Sequence, residues 1–248
     1  MNNVFIILVK PQLGQNIGSV ARVMKNLNFK NLRIVNPRDG WPNQDVISTA
    51  AGADDVITNT KVFDNVSEAC NDLNYLFASS ARKRDLNIKT LNLVNTVSSL
   101  NKTEFCGNDF KFGILFGCES SGLSNEDLIT ANQLIYIPSN SDFSSLNISH
   151  AVSLICWEFF KFFNDLNLDQ NSKISLNTSP TKKDMDYLYK NLCEKLNNSG
   201  FFHSDFMKKS IMENIKVLFN RAELSSQEIK TLNGIIKSLY EYNKQAWH

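Results

Sequence analysis

The chain reads as an α/β protein: a parallel sheet flanked by helices, followed by a small C-terminal helical extension. Three observations predict this. Val4–Lys10 and Phe112–Phe116 are continuous apolar runs, as expected of parallel strands buried on both faces. Stretches with helical spacing fall between the strand-like runs, so strand and helix alternate. Composition then changes at Asn164, and every periodic stretch after it is helical.

In order, Val4–Lys10 is the first strand, and Pro11 and Gly14 make the loop that ends it. Ile17–Leu27 is a helix, with Ile17, Val20, Ala21, Met24 and Leu27 on one side. Leu32–Val35 is a second strand, closed by Asn36-Pro37; Gln44–Ala53 is a helix ending near Gly52. Val66–Leu73 is a helix and Tyr75–Ala78 a third strand, while residues 81–103 look polar and irregular. Phe112–Phe116 is a strand, Asn125–Ala131 a short helix, and Leu134–Ile137 a strand closed by Pro138. Residues 139–147 form a loop ahead of a long helix over Ile148–Phe163. These elements divide the chain into a main domain over 1–163, an Asn-, Asp- and Ser-rich linker over 164–180, and a helical extension over 181–248. The extension holds three helical stretches, near 181–197, 204–220 and 226–245. The last opens on Ser225-x-x-Glu228, a capping-box pattern. Three helices of this size are marginal alone, so the extension is expected to dock on the main domain or on a second copy.

Bulk properties exclude little. Of 248 residues, 42% are hydrophobic and 21% charged, with a net charge of +1, so any nucleic-acid surface must be a local patch. Residues 181–248 carry 11 Lys/Arg against 8 Asp/Glu, compatible with RNA contact and equally with a solvated helical face. The five cysteines are odd in number and none has metal-ligand spacing, so most read as small buried hydrophobes and no metal is expected. No run is long enough for a signal sequence or a membrane span, which predicts a soluble, cytoplasmic protein.

Three polar, small-residue segments stand at predicted strand ends, where open α/β sheets bind ligands. They are Asn16-Ile17-Gly18-Ser19-Val20-Ala21-Arg22, Leu115–Leu123 and Ser144-Ser145-Leu146-Asn147-Ile148. Each has a plain structural reading. Asn16 and Asn147 would cap helices, and Glu119 would cap a turn. Gly117-x-x-x-x-Gly122 has P-loop spacing, but Leu123 follows where Lys is needed, so it reads as a tight turn. The functional reading joins them. Arg22 offers a planar fork to phosphate or ribose oxygen, and the Asn16 amide offers a donor and an acceptor at the same site.

In type, order and spacing, Asn16, Arg22, Glu119, Ser145 and Asn147 resemble the polar constellation of the SPOUT (SpoU–TrmD) class of RNA ribose 2′-O-methyltransferases, over about residues 1–163. Ser79-Ser80-Ala81-Arg82-Lys83-Arg84 is similar to the basic loop of the TrmJ branch. Leu218-Phe219-Asn220-Arg221-Ala222-Glu223-Leu224, with Glu228 and Gly234, resembles that branch's C-terminal signature. His150 departs from the neutral residue expected at its position.

The resemblance implies an α/β fold with a C-terminal trefoil knot over roughly 112–163, an exception to the rule against threaded chains. It implies S-adenosylmethionine held by the segments at Leu115, Phe116 and Gly117, at Ile137, and from Leu146 to Ala151. It implies a homodimer with the site at the interface; the apolar residues placed almost all round Ala151–Phe163 fit burial on more than one side. The reaction implied is methyl transfer to the ribose 2′-hydroxyl of nucleotide 32, a pyrimidine in the tRNA anticodon loop. Arg22, from the opposite subunit, would hold that hydroxyl and its phosphate. Asn16, Glu119, Ser145 and Asn147 would shape the site. Arg82, Lys83, Arg84 and Ser144 would contact RNA. Which group takes the proton is open at this level, because guanidinium rarely deprotonates. A ribosomal-RNA ribose methyltransferase and a non-catalytic RNA-binding protein of the same fold are the alternatives. The start of the first strand at Val4, without the N-terminal extension usual in ribosomal relatives, favours the tRNA reading.

Overall fold

The structure, a computed structural model, describes residues 2–81, 86–100, 105, 110–166 and 179–246. Its sheet has seven strands: β1 (Val4–Val9), β2 (Asn31–Val35), β3 (Lys61–Phe63), β4 (Tyr75–Ser79), β5 (Lys89–Asn92), β6 (Phe112–Phe116) and β7 (Gln133–Tyr136). The order is β3-β2-β1-β6-β4-β7-β5, and every pairing is parallel. Among the described residues, the main body carries helices α1 (Gly14–Asn26), α2 (Gln44–Ala50), α3 (Asp54–Thr58), α4 (Val66–Cys70), α5 (Leu93–Ser98), α6 (Asn125–Leu128) and α7 (Ile148–Leu166).

Successive strand residues point to opposite faces, and both faces are covered. On one, Ile6, Leu8, Phe77, Phe112 and Ile114 pack against Ile17, Val20 and Met24 of α1 and Val152, Ile155 and Phe159 of α7. Its centre is aromatic: Phe77, Phe112 and Phe159 meet at 5.5–5.9 Å between ring centroids. On the other, Ile7, Val9, Leu76, Ala78 and Leu115 pack against Ala69 and Cys70 of α4 and Leu128 of α6. Burial on both faces is why the central strands read as unbroken apolar runs.

Several expectations need correction. The polar stretch 81–103 is not irregular throughout, because it holds β5 and α5. Both β3 and β5 are short edge strands with exposed or half-buried residues, so no apolar pattern announced them. The helix expected over Gln44–Ala53 does end near Gly52: it stops at Ala50, where Ala51 (φ 36°) and Gly52 (φ 86°) take left-handed positions, and a short helix not anticipated from the sequence, α3, follows. Conversely α7 runs on to Leu166, past the expected end at Phe163.

The connections interleave at the site end. From β4 the chain goes to the edge at β5 and returns to β6 on the far side of β4. It then inserts β7 between β4 and β5. That crossing of connections is the arrangement from which a threaded C-terminal segment is built.

Beyond the sheet lie α8 (Lys182–Asn198), α9 (Asp205–Ala222) and α10 (Ser226–Ala246). Thr181 and Asp184 form a capping box that starts α8, and Ser225 with Glu228 forms the expected one before α10. Met185, Leu188, Tyr189 and Ile229 make a small core of their own. The extension docks on the main body of its own chain, at the end of the sheet where the strands begin. The backbone N–H groups of Lys182 and Lys183 donate to the carbonyls of Leu73 and Asn71. Asn220, 4% exposed, donates to the Ile129 carbonyl (2.9 Å) and accepts from Lys182 and Tyr189 (3.3 Å each). Asn220 and Glu223, two residues of the C-terminal signature, thus hold the extension down; the Glu223 carboxylate accepts from Tyr75 at 3.2 Å.

Candidate active site

At the other end of the sheet, where the strands finish, the three polar segments converge. Asn16 lies in the first turn of α1, but it does not cap it. The helix begins at Gly14 with Leu13 at the cap position and no side-chain cap. The Asn16 amide instead donates to Glu119 Oε1 at 2.7 Å, and its oxygen accepts from Asn147 Nδ2 at 3.0 Å. Glu119 Oε2 accepts from the backbone N–H of Gln12 at 2.9 Å. One hydrogen-bonded chain therefore ties the end of β1, the loop after β6 and the start of α7, across sequence separations above 100 residues. Asn147 also keeps the capping role expected of it, accepting from the Ser149 backbone N–H at 2.8 Å. Gln12 was not anticipated from the sequence; its only signal was its place just after a strand.

Gly18 explains how α1 sits so deep. A Cβ there would lie 2.0 Å from Thr49 Oγ1 and 2.6 Å from the Val46 carbonyl, so only glycine lets α1 close on α2. Gly117 is constrained in the same way. Its Cβ would fall 2.1 Å from the Gly122 carbonyl carbon and 2.2 Å from Leu123 N. The loop after β6 folds back on itself, with Gly122 at φ 70° and its N–H donating to the Cys118 carbonyl at 2.9 Å. Gly117 is needed for that turn, as its plain reading held.

Beside this chain lies a cleft of about 220 Å³. Phe116, Leu123, Ile137, Leu146, Ile148 and Ala151 supply apolar wall, and Gly117 and the serines at 79, 80, 120, 121, 144 and 145 supply polar groups. Five of the six residues expected to hold a cofactor line it. Leu115 does not: it is fully buried on the opposite face of the sheet, among Ile7, Ala78 and Leu134. Ser144 and Ser145 line the cleft as well, and Ser139 donates to the Ser144 carbonyl at 3.3 Å. Cys118 Sγ lies 3.0 Å from Ser121 Oγ. Burial pushes its thiol up, but hydrogen bonds with Ser121 and Ser120 outweigh that and hold it below the ordinary value. Cys70 and Cys156 are buried as expected; burial raises both thiols, Cys70 to about 12.

The structure does not bring Arg22 to Asn16. Arg22 is exposed, makes no hydrogen bond or ion pair among the described residues, and does not line the cleft. Six residues on from Asn16, it points about 120° away around α1 and about 9 Å along it. Within one chain, Asn16 and Arg22 therefore do not meet. Arg82, Lys83 and Arg84 lie outside the described residues, though Ser79, Ser80 and Ala81 before them line the cleft.

Known proteins resemble this chain. Residues 3–157 match the SpoU rRNA methylase family, and residues 183–247 match the C-terminal domain of the tRNA methyltransferase TrmJ. The tRNA (cytidine/uridine-2′-O-)-methyltransferase TrmJ of Sodalis glossinidius is 31% identical over 98% of this chain and 94% of its own length. That of Salmonella typhimurium is 32% identical, over 98% and 99%. The crystal structure of TrmJ from Z. mobilis ZM4 superposes with a TM-score of 0.82 at 32% identity, covering 94% of this chain and 97% of that one. The chain belongs to the SpoU methylase family and, within it, to the TrmJ-type tRNA 2′-O-methyltransferases.

Proposed function

We propose that this protein methylates the ribose 2′-hydroxyl of nucleotide 32, a pyrimidine in the tRNA anticodon loop, with S-adenosylmethionine as donor and as a homodimer. The supporting observation is the hydrogen-bonded chain Asn147–Asn16–Glu119, which fixes three distant segments around one cleft. The cleft suits the donor. Phe116, Ile137, Leu146 and Ala151 would wall its adenosine, and backbone and hydroxyl groups would meet its polar parts. When bound, S-adenosylmethionine supplies an electrophilic methyl group on a sulfonium.

The residues of this chain align and neutralise. A ribose hydroxyl is a weak nucleophile near neutral pH, so placing it and polarising its O–H are the main tasks. Ser145 and Glu119 line the cleft, and Asn16 and Asn147 complete the hydrogen-bonded chain that holds the Glu119 carboxylate in place. Arg22 grips the 2′-oxygen and the adjacent phosphate as a charged fork. Because Arg22 does not line its own cleft, it serves the cleft of a second copy. The face of α7 bearing Leu154 (44% exposed) and Trp157 (49%) is the natural seat for that copy. It begins about 10 Å along the helix from Asn147. Arg82, Lys83, Arg84 and Ser144 contact RNA. The catalytic unit is 1–163, joined through 164–180 to the helical unit 181–248, and the enzyme works in the cytoplasm.

Methyl transfer from labelled S-adenosylmethionine to unmodified bulk tRNA, with ribosomal RNA in parallel and nucleoside mapping of the product, tests this. A 2′-O-methylpyrimidine at position 32 is expected. Transfer to ribosomal RNA alone would overturn the substrate; RNA binding without transfer to either would overturn the enzyme.

A further inference from the structure

One large side chain near the cleft has no structural use. Phe143, in the loop between β7 and α7, is 79% exposed. The loop holds it there: Phe143 N–H donates to the Asn140 carbonyl at 3.1 Å, and Asp142 N–H to Asn140 Oδ1 at 3.1 Å. The three residues that follow, Ser144, Ser145 and Leu146, line the cleft. An aromatic ring held in water at the mouth of a site forfeits the burial it would have in a core.

We infer that Phe143 is a stacking platform for an unpaired base of the RNA substrate, next to the ribose presented to the cleft. This rests on the function proposed above. Proteins that read single-stranded RNA stack splayed-out bases on aromatic rings. The surroundings favour a base over a protein surface. Phe143 makes no ring contact among the described residues, and its neighbours at 139–142 and 144–145 are Ser, Asn and Asp. A second exposed aromatic, on α7, is unlike it. Trp157 stacks on Phe160 at 5.8 Å beside Leu154, a continuous apolar patch suited to a protein partner. The carboxylate of Asp142 repels phosphate, so the loop meets the face of a base and not the backbone.

The test compares wild type, Phe143→Ala, Phe143→Tyr and Phe143→Trp in steady-state transfer to unmodified tRNA, with sedimentation and cofactor calorimetry on each. Phe143→Ala is expected to raise KM for tRNA about tenfold, with kcat, cofactor affinity and sedimentation unchanged. The Tyr and Trp variants are expected to restore KM. In Phe143→Trp, tRNA is expected to quench the fluorescence that the new indole adds over wild type. An active wild type with an unaltered Phe143→Ala would overturn the stacking role alone. A changed sedimentation coefficient in Phe143→Ala would overturn it too, by assigning the ring to the subunit contact. A wild type inactive on tRNA would remove the underlying function and this inference with it.

Discussion

The two ends of the sheet use the same device for opposite purposes. Where the strands finish, Asn16 (9% exposed) bridges Glu119 and Asn147; where they begin, Asn220 (4% exposed) bridges Ile129, Asn132, Lys182 and Tyr189. At the first end the loops stand apart and leave a cleft of about 220 Å³ lined by serines. At the second the helical extension closes down, leaving voids of about 40 Å³. A buried amide is thus no sign of function by itself. What distinguishes the cleft end is a set of hydroxyl groups and a carboxylate lining open space.

The sharpest way to break that distinction is Arg22→Ala. Transfer should fall by about 10²–10³-fold, the usual cost of removing one charge-stabilising donor, with calorimetric affinity for S-adenosylmethionine nearly intact. An affinity loss matching the activity loss would return Arg22 to a structural role. Asn16→Leu comes next. It removes one of the two partners of the half-buried Glu119 and frees Asn147, so kcat/KM should fall about ten- to a hundredfold, equivalent to about 1–3 kcal/mol. The melting temperature should drop by only a few degrees, about 2–4 °C per kcal/mol in a chain of this size. Wild-type turnover in this variant would make the hydrogen-bonded chain incidental.

Trp157→Glu puts a charge into the exposed patch of α7 and should weaken self-association by about 2 kcal/mol, roughly thirtyfold in Kd. Activity should be lost on dilution over the range in which sedimentation shows monomer. A fully active monomer would mean that each chain completes its own site.

An effect on stability alone concerns the sealed end. Burial lowers the Lys182 ammonium from its ordinary value to about 8, against the opposing pull of Cys70 and Asp186. Below pH 8 the ammonium is charged in both folded and unfolded chains, and its burial opposes docking. Between about pH 8 and 10.5 the unfolded chain holds the proton that the folded one has released, so stability rises with pH. Relative to Lys182→Met, the wild type should therefore gain on the order of 1–3 kcal/mol over that window in thermal or urea unfolding. A difference flat with pH would show that the ammonium keeps its proton when docked.

The central strands, α1, α7 and the three helices of the extension were legible in the sequence because their burial is continuous or their apolar residues recur at helical spacing. The edge strands β3 and β5 and the helix α5 were not: they are short, half-exposed and paired by their neighbours. At the site, the residue types and order of the three segments, and their likeness to one family, were readable before any fold. Whether Asn16 would cap a helix or reach Glu119 was not, because both uses have the same local sequence. Nor did spacing show that Leu115 turns to the opposite face, or that Asn220 anchors the extension. Local pattern is set by which atoms are neighbours along the chain. The partners of the Asn16 amide lie more than 100 residues away in the chain, and only packing brings them together.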